Sequence, residues 1–593
     1  MIVKLNTFYI LFFLFTNTTV AQTIKGVVKD QDKNLLFGAT VYNNSNNKST
    51  ITNEDGMFSI ASEKGKNKLV ISYVGHTPKV INVDENTVDL GTIVLENNSL
   101  EEVVISGTLN QVSKLKSPVQ IELYNANFFR ATPKASFFEA IEGINGVRPQ
   151  LNCNICNTGD IHINGQEGAN TMVLIDGLPL VSGLSTVYGL SGIPQSLVKQ
   201  VEVIKGPAST LYGSEAIGGV INLITKLPEN VNRFSIDTYT TSWGELNVDL
   251  GTKYQLKNVQ GLIGLNYFKY SNPKDTNRDG FTDLTLQHRI SFFNKIKTNK
   301  NSIAFRYFYE DRWGGEMNWN SGYRGGNQVY GESIYTSRFE VFGKYDISEH
   351  LFLQYSLNNH DQNSVYGTTS YNALQTIGFI QSVYSKTISD HQLLLGATYR
   401  YTRFDDNTPA TEKKEVTSLP GLFVQDEWNF SNSQTLLSGI RYDQNSIYGA
   451  IWTPRLNYKW ANNDESSIAR IGFGTGYRVV NVFTEDHAAL TGARDVVFTE
   501  NILPEKSWNI NINWNQKLYS KFGTIFDLDL SVFKTVFSNR IFPDYETNPN
   551  QIIYSNLDGK SITQGLTFNI NSVSANGLKI NLGATFIDSK IIQ

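Results

Sequence analysis

The chain has only two cysteines, spaced as Cys153-Asn154-Ile155-Cys156, and sulfurs at that spacing have three chemistries open to them. They can close a disulfide, ligate a soft metal as two thiolates, or remain free thiols. A CxxC alone is half a zinc site and names no metal. A second cluster, Asp275, Asn277, Asp279 and Asp283 around Gly280, has the D-x-N-x-D-G order in which alternating oxygen ligands and a sharp glycine turn wrap calcium. Its twelfth position is Leu286 where an EF-hand carries a bidentate glutamate, so the loop is either a weak structural Ca2+ site or a solvated acidic turn. His487 lies among Thr484, Glu485, Asp486 and Arg494. It is an axial ligand for haem, a contact for a metal chelate, or an ordinary surface histidine. The remaining histidines form no cluster, and no nucleophile, base and oxyanion set can be assembled, so no enzyme activity and no required cofactor is expected.

These groups need a scaffold outside the cytoplasm. Lys4, the apolar run Phe8 to Phe15 and the small-residue exit Thr19-Val20-Ala21 read as a signal peptide, residues 1–21, too short to span a bilayer as a helix. No later segment offers the roughly 18 uninterrupted apolar residues of a membrane helix. With a net charge of −4 and no basic stripe, nucleic acid is not an expected partner. From Thr23 to Glu96 short strand patterns such as IKGVVKD, GMFSIAS and KLVISYVG follow one another with turn residues between them, a small β-sandwich over residues 22–97.

Residues 171–226 predict buried strands at Met172 to Ile175, Val201 to Ile204 and Val220 to Ile224, with a tight turn at Asp176-Gly177 and glycine-punctuated connections. From about Phe234 onward, segments such as GLIGLNYFKY, SIAFRYFYED and LLLGATYRYT alternate apolar and polar residues with aromatics near their ends. That pattern is a membrane β-barrel with one face toward lipid and the other toward the lumen. About seventeen strands are expected, and the fold class is mainly β.

The ordered strings VLIDG, VEVIKGPAS-LYGS and GGVIN-IT within residues 171–226 closely resemble the plug domain of TonB-dependent outer-membrane receptors. NEDGMFSI (Asn53 to Ile60) and LVISYVGH (Leu69 to His76) resemble the carboxypeptidase regulatory-like domain that often precedes such receptors in Bacteroidetes. No zinc-peptidase signature accompanies it, so a periplasmic spacer or docking role is implied. SLEEVVISGT resembles the TonB box, with Glu101, Glu102, Val103, Val104, Ile105 and Ser106 matching the pattern. Residues 98–110 are then the box and linker, 111–228 an α/β plug and 229–593 a transmembrane antiparallel barrel. The resemblance implies strand addition by TonB, energised with ExbB and ExbD in the inner membrane, in a Gram-negative outer membrane. The alternative reading of the box is the last strand of the sandwich.

The resembled barrel has twenty-two strands and usually ends on an aromatic residue, whereas this chain stops at KIIQ. A C-terminally truncated fragment lacking roughly five strands is therefore expected. Family position places Cys153 and Cys156 on an apical plug loop facing the solute. A second apical loop, Leu180 to Gly192, offers hydroxyls from Ser182, Ser185, Thr186, Tyr188 and Ser191 for a bulky chelate. GTGYR and LPEKSWN resemble the family's barrel signature around the outer loop that carries His487. The implied function is active import of a scarce large solute. A ferric siderophore is the first choice, with cobalamin, haem or copper, or a surface signalling receptor, as alternatives.

Overall fold

The computed structural model describes residues 22–592 apart from 31–32, 74–75, 77, 96–101, 132, 135, 154, 156–157, 182–183, 185–191, 214, 409–413, 490, 521–523 and 575–577. Residues 22–100, with 518–526 and 571–581, form one unit and the remainder of the described chain a second.

In the N-terminal unit, Thr23–Lys29 lies between Met57–Ala61 and Asp89–Val94. The second sheet runs Lys48–Ile51, Thr40–Asn43, Asn67–Ser72, Lys79–Val83. Alternation along Thr23–Lys29 sends Ile24 and Val28 into a core shared with Val41, Phe58, Leu69 and Ile71, as a half-buried strand of period two must. The one pair of amides in that core is satisfied, with Asn43 Nδ2 donating to Asn67 Oδ1 at 2.8 Å.

In the larger unit a five-stranded sheet runs Glu122–Asn125, Val198–Lys205, Gly219–Thr225, Thr171–Ile175, Leu178–Val181. Thr171–Ile175 and Gly219–Thr225 pair in parallel, and both are buried along their whole length, which is why they read as continuous apolar runs. Asp176 and Gly177, at φ +51° and +80°, close the hairpin between Thr171–Ile175 and Leu178–Val181. Positive φ at both central positions is the demand of a type I′ turn, and Asp-Gly meets it.

Around this plug runs a sheet of seventeen strands, from Phe234–Thr240 to Lys579–Ile592. The number agrees with the sequence pattern. Val259–Tyr270 shows the rule: Asn266, Phe268 and Tyr270 face inward and are buried, whereas Leu265 and Tyr267 are exposed on the outer face. The first and last strands are the two edges of the sheet and do not pair with each other. The turns at 257–258, 298–300, 389–390 and 432–433 at one end are tight, whereas the other end carries the long segments 271–285, 316–330, 479–504 and 540–559 beside short ones at 367–368 and 446–448. In membrane barrels the long loops are extracellular, which sets the orientation.

The segment 479–506, expected as a plain loop, is folded. It carries a helical turn Val482–Glu485 and the strand Asp495–Phe498, which joins Gln551–Asn556 and Ile541–Asp544 in a sheet of its own. Val482, Phe483, Ala489, Ile541, Ile552 and Tyr554 pack downward onto Phe308, Tyr371 and Phe404 of the wall. Burial of that apolar set gives the two loops a common core, information split between segments sixty residues apart.

Candidate functional site

The plug is tied to the sheet by ion pairs on several sides. Lys295 Nζ reaches Asp176 Oδ2 and Thr225 Oγ1, both at 2.8 Å. Arg540, in an outer loop, meets Glu167 at 2.5 Å. Arg400 holds Glu215 with two parallel bonds, Nη2 to Oε1 at 2.5 Å and Nη1 to Oε2 at 2.9 Å, the fork geometry that makes guanidinium–carboxylate pairs specific. A polar amide does the same at Gly206, where φ is +137° and a Cβ would sit 2.2 Å from Asn511 Nδ2. With no side chain in the way, Asn511 donates to the Lys205 carbonyl at 3.1 Å.

Between plug, wall and folded outer loop lies a cavity of about 140 Å³. Thr171 and Glu215 of the plug form its floor, Gln375, Arg400 and Arg478 its wall, and Thr484 and Glu485 its roof. Arg478 joins roof to wall by pairing with Glu485 at 2.5 Å and Glu505 at 2.7 Å. Asp486, the next residue of the roof, accepts from the hydroxyls of Tyr545 at 2.6 Å and Tyr554 at 2.5 Å, which locks the loop 479–504 to 540–559. Thr171 Oγ1, Gln375 Oε1 and Arg400 Nε are buried without a hydrogen-bond partner. Such groups are normally satisfied, so the cavity is built for polar contents.

Glu215 carries a pH dependence. Burial would raise its carboxyl, but the Arg400 guanidinium, aided by Arg478 and Arg441, outweighs burial and holds it below its ordinary 4.5. A depressed carboxylate contributes stability that is present above the unfolded value and lost as pH falls through the folded one. Glu485 shifts the other way, because burial outweighs Arg478. Acidification from neutral pH to about 3 is therefore expected to loosen the 215–218 segment before the roof, read as amide exchange rates across the two segments.

The segment 102–106 is docked inside the plug. Val103–Val104 pairs with Val112–Ser113, not with the sandwich, and Gln200 Nε2 donates to the Val103 carbonyl at 3.0 Å. Ile105 N, Ser106 N and Ser106 Oγ all donate to Glu202 Oε2, at 3.0, 2.8 and 2.6 Å. One edge of this short strand is thus paired with Val112–Ser113, and on the other the Val103 carbonyl and the Ile105 and Ser106 amides are bonded to plug side chains. Glu102 pairs with Lys114 at 2.8 Å, and Glu101 lies outside the described residues.

Cys153 ends the strand Val147–Cys153, opposite Thr158 of Thr158–Ile163. At the tip of this hairpin Ile155 accepts from Thr285 Oγ1 at 2.5 Å, which brings it to the acidic loop of the third strand. Cys156, Ser182, Ser185, Thr186 and Tyr188 lie outside the described residues, as do the side chains of Cys153 and His487, whose backbone opens the 3₁₀ turn His487–Ala489. In the acidic loop Asp275 accepts from Asp279 N and Gly280 N, Asp279 from Phe281 N, and Asp283 from Thr276 N. Asn277 Oδ1 accepts from Asp279 N. Among the described residues no group of three His, Cys, Asp or Glu side chains converges to hold a metal.

A sheet whose strands alternate apolar-out and polar-in, curled around a small α/β domain and roofed by long loops at one end, defines a plugged outer-membrane β-barrel. Residues 225–592 match the family described as TonB dependent receptor-like, beta-barrel, residues 113–220 the TonB-dependent Receptor Plug Domain, and residues 24–105 a CarboxypepD_reg-like domain. The chain belongs to the TonB-dependent receptors, outer-membrane proteins of Gram-negative bacteria that transport and do not catalyse. It is similar to the "Ferric enterobactin receptor PirA" of Pseudomonas aeruginosa, 22% identical over 79% of this chain and 75% of that protein. It also resembles an "Iron-regulated outer membrane virulence protein" of Vibrio cholerae, 25% identical over 65% of this chain and 61% of that protein. Among solved structures, the siderophore receptor PirA of P. aeruginosa superposes with a TM-score of 0.62 at 18% identity, covering 79% of this chain and 85% of that one. The ferric enterobactin receptor PfeA gives 0.61 at 17% identity, over 80% and 81%. These likenesses establish the fold.

Sequence reasoning did not single out Glu202, Asn222, Glu215, Arg400 or Arg478. Asn222 had a signal, a polar residue inside the apolar run Val220 to Ile224, whereas the strand of Glu202 also carries Lys199, Gln200 and Lys205. The arginines had none, because inward polar residues are the rule on every strand of a barrel.

Proposed function

We propose that this receptor imports an iron–siderophore complex across the outer membrane, driven through TonB with ExbB and ExbD. The observation that carries the reading is a roofed polar cavity resting directly on a plug whose coupling segment is docked beneath it. Such a plug blocks the pore until work is done on it, so the fold suits energised uptake of a solute too scarce for diffusion. The cargo is supported by the similar proteins, two of which carry ferric enterobactin or iron regulation in their names. On the buried inner wall, among the described residues, arginine and lysine outnumber aspartate and glutamate, which favours an anionic chelate.

The test is cellular iron, cobalt and copper measured by mass spectrometry in a strain with the gene and in its deletion, under metal limitation. A selective fall in iron is expected on deletion. A cobalt fall would replace the siderophore with cobalamin, a copper fall would turn attention to Cys153 and Cys156, and no change in any metal would sink the metal-chelate reading.

A further inference from the structure

Glu202 is fully buried in Val198–Lys205 of the plug sheet, and Asn222 stands directly opposite it in register on Gly219–Thr225, the central strand. Directly opposed residues of an antiparallel pair share a face, with Cβ atoms about 5 Å apart. Between their side chains sits one atom of the coupling segment. Ser106 Oγ donates to Glu202 Oε2 at 2.6 Å and accepts from Asn222 Nδ2 at 2.8 Å. The Asn222 amide is oriented from its other end, where Gly177 N donates to Oδ1 at 2.9 Å. Tyr212 closes the far side, its hydroxyl donating to the Ser106 carbonyl at 3.0 Å. Ser106 is therefore held at amide, hydroxyl and carbonyl at once.

Withdrawal of the segment would strip Glu202 of three donors and leave it only Gln200 Nε2, at 2.8 Å from Oε1. A buried carboxylate so exposed to its own desolvation is costly, and that cost would oppose release. The same withdrawal, however, frees the two donors that Ser106 had occupied, the Asn222 amide and the Tyr212 hydroxyl. Burial and the Glu202 charge together hold the Tyr212 phenol well above its ordinary range, so at neutral pH it remains a donor.

We propose that Glu202 is a two-state acceptor: it holds Ser106 while the coupling segment is docked, and Asn222 with Tyr212 takes over its carboxylate when the segment leaves. The docked form has both strand edges of Val103–Val104 occupied and cannot accept an added strand, so partner binding selects the released form. The Asn222 takeover is what keeps that form within thermal reach. The proposal rests on the import reading only for the identity of the partner.

The full-length receptor in detergent tests it with two readouts, amide exchange at Ile105 and Ser106 and affinity for the periplasmic C-terminal domain of TonB, both without solute. Glu202→Ala removes the acceptor from both states, and the docked state loses more by it, three donors against the two that take over on release. It should abolish protection at Ile105 and Ser106 and raise TonB affinity at least about tenfold, the worth of one charge-assisted bond. Asn222→Ala separates a takeover from a simple tether. A tether predicts tighter TonB binding, because docking is weakened; the takeover predicts binding weakened about three- to tenfold, because the released carboxylate loses its replacement donor. Protection of Thr171–Ile175 must be unchanged in each variant, which marks a folded plug.

Rising TonB affinity in Asn222→Ala, or retained protection in Glu202→Ala, would overturn the proposal. If exchange responds as expected but TonB binds no variant, the import reading fails and the two-state acceptor stands.

Discussion

Asp176→Asn is expected to destabilise the plug by about 3–5 kcal/mol, measured by calorimetric unfolding of the receptor in detergent. Asparagine preserves the turn, since it tolerates the positive φ at this position and still accepts from Thr225 N, as Asp176 does at 2.8 Å. What it removes is the charge opposite Lys295, whose side chain is only 6% exposed. An ammonium left in that site keeps Thr225 Oγ1 as its remaining partner. Breaking one half of a buried pair costs more than the pair is worth, because the orphan charge stays desolvated. Adding Lys295→Met should therefore recover most of the loss. A double variant no more stable than Asp176→Asn would show that the turn, and not the buried charge, was damaged.

Val104→Pro is expected to reduce uptake of a labelled ferric chelate to background, a loss of more than about 100-fold, while surface binding by energy-depleted cells is retained. Val104 is fully buried and pairs with Val112. Proline removes its amide donor both from this pairing and from any strand added by TonB. The cavity proposed to take the solute is lined by other segments, 168–172, 215, the barrel wall and the outer loop, so binding should survive. Equal loss of binding and uptake would mean a misfolded plug, and undiminished uptake would remove 103–106 from the coupling role.

Local pattern carried the architecture. Period-two alternation makes lipid-facing and lumen-facing residues trade places along each strand, so each strand of Phe234–Thr240 through Lys579–Ile592 announces itself within its own length. The Asp176-Gly177 turn and the buried runs Met172 to Ile175 and Val220 to Ile224 are local for the same reason, since backbone conformation and burial act on neighbouring residues. The surroundings of segment 103–106 were not legible: Ser106 and Glu202 are ninety-six residues apart, and only the folded sheet shows that one hydroxyl lies between a carboxylate and an amide.

The candidate site was less legible. His487 drew attention as a titratable group in a polar segment, and its side chain lies outside the described residues; Thr484 and Glu485 beside it roof the cavity, fixed by Arg478, while Asp486 is held by Tyr545 and Tyr554. The Asp275 cluster was recognised from spacing, and its carboxylates shape their own loop through backbone amides.

By itself, then, the sequence determined local character: the short strands of the sandwich, the buried strands of residues 171–226 and the alternating strands of the barrel follow from turn chemistry, burial and side-chain period, all of short range, while the plug was recognised by its resemblance to a family. Only the tertiary structure decided which charges meet. Arg400 and Glu215, Lys295 and Asp176, and Arg540 and Glu167 are brought together by wrapping one sheet around another domain. A charge carries no mark of its distant partner, and an ion pair of this kind is defined by separation in space, which a linear pattern does not contain.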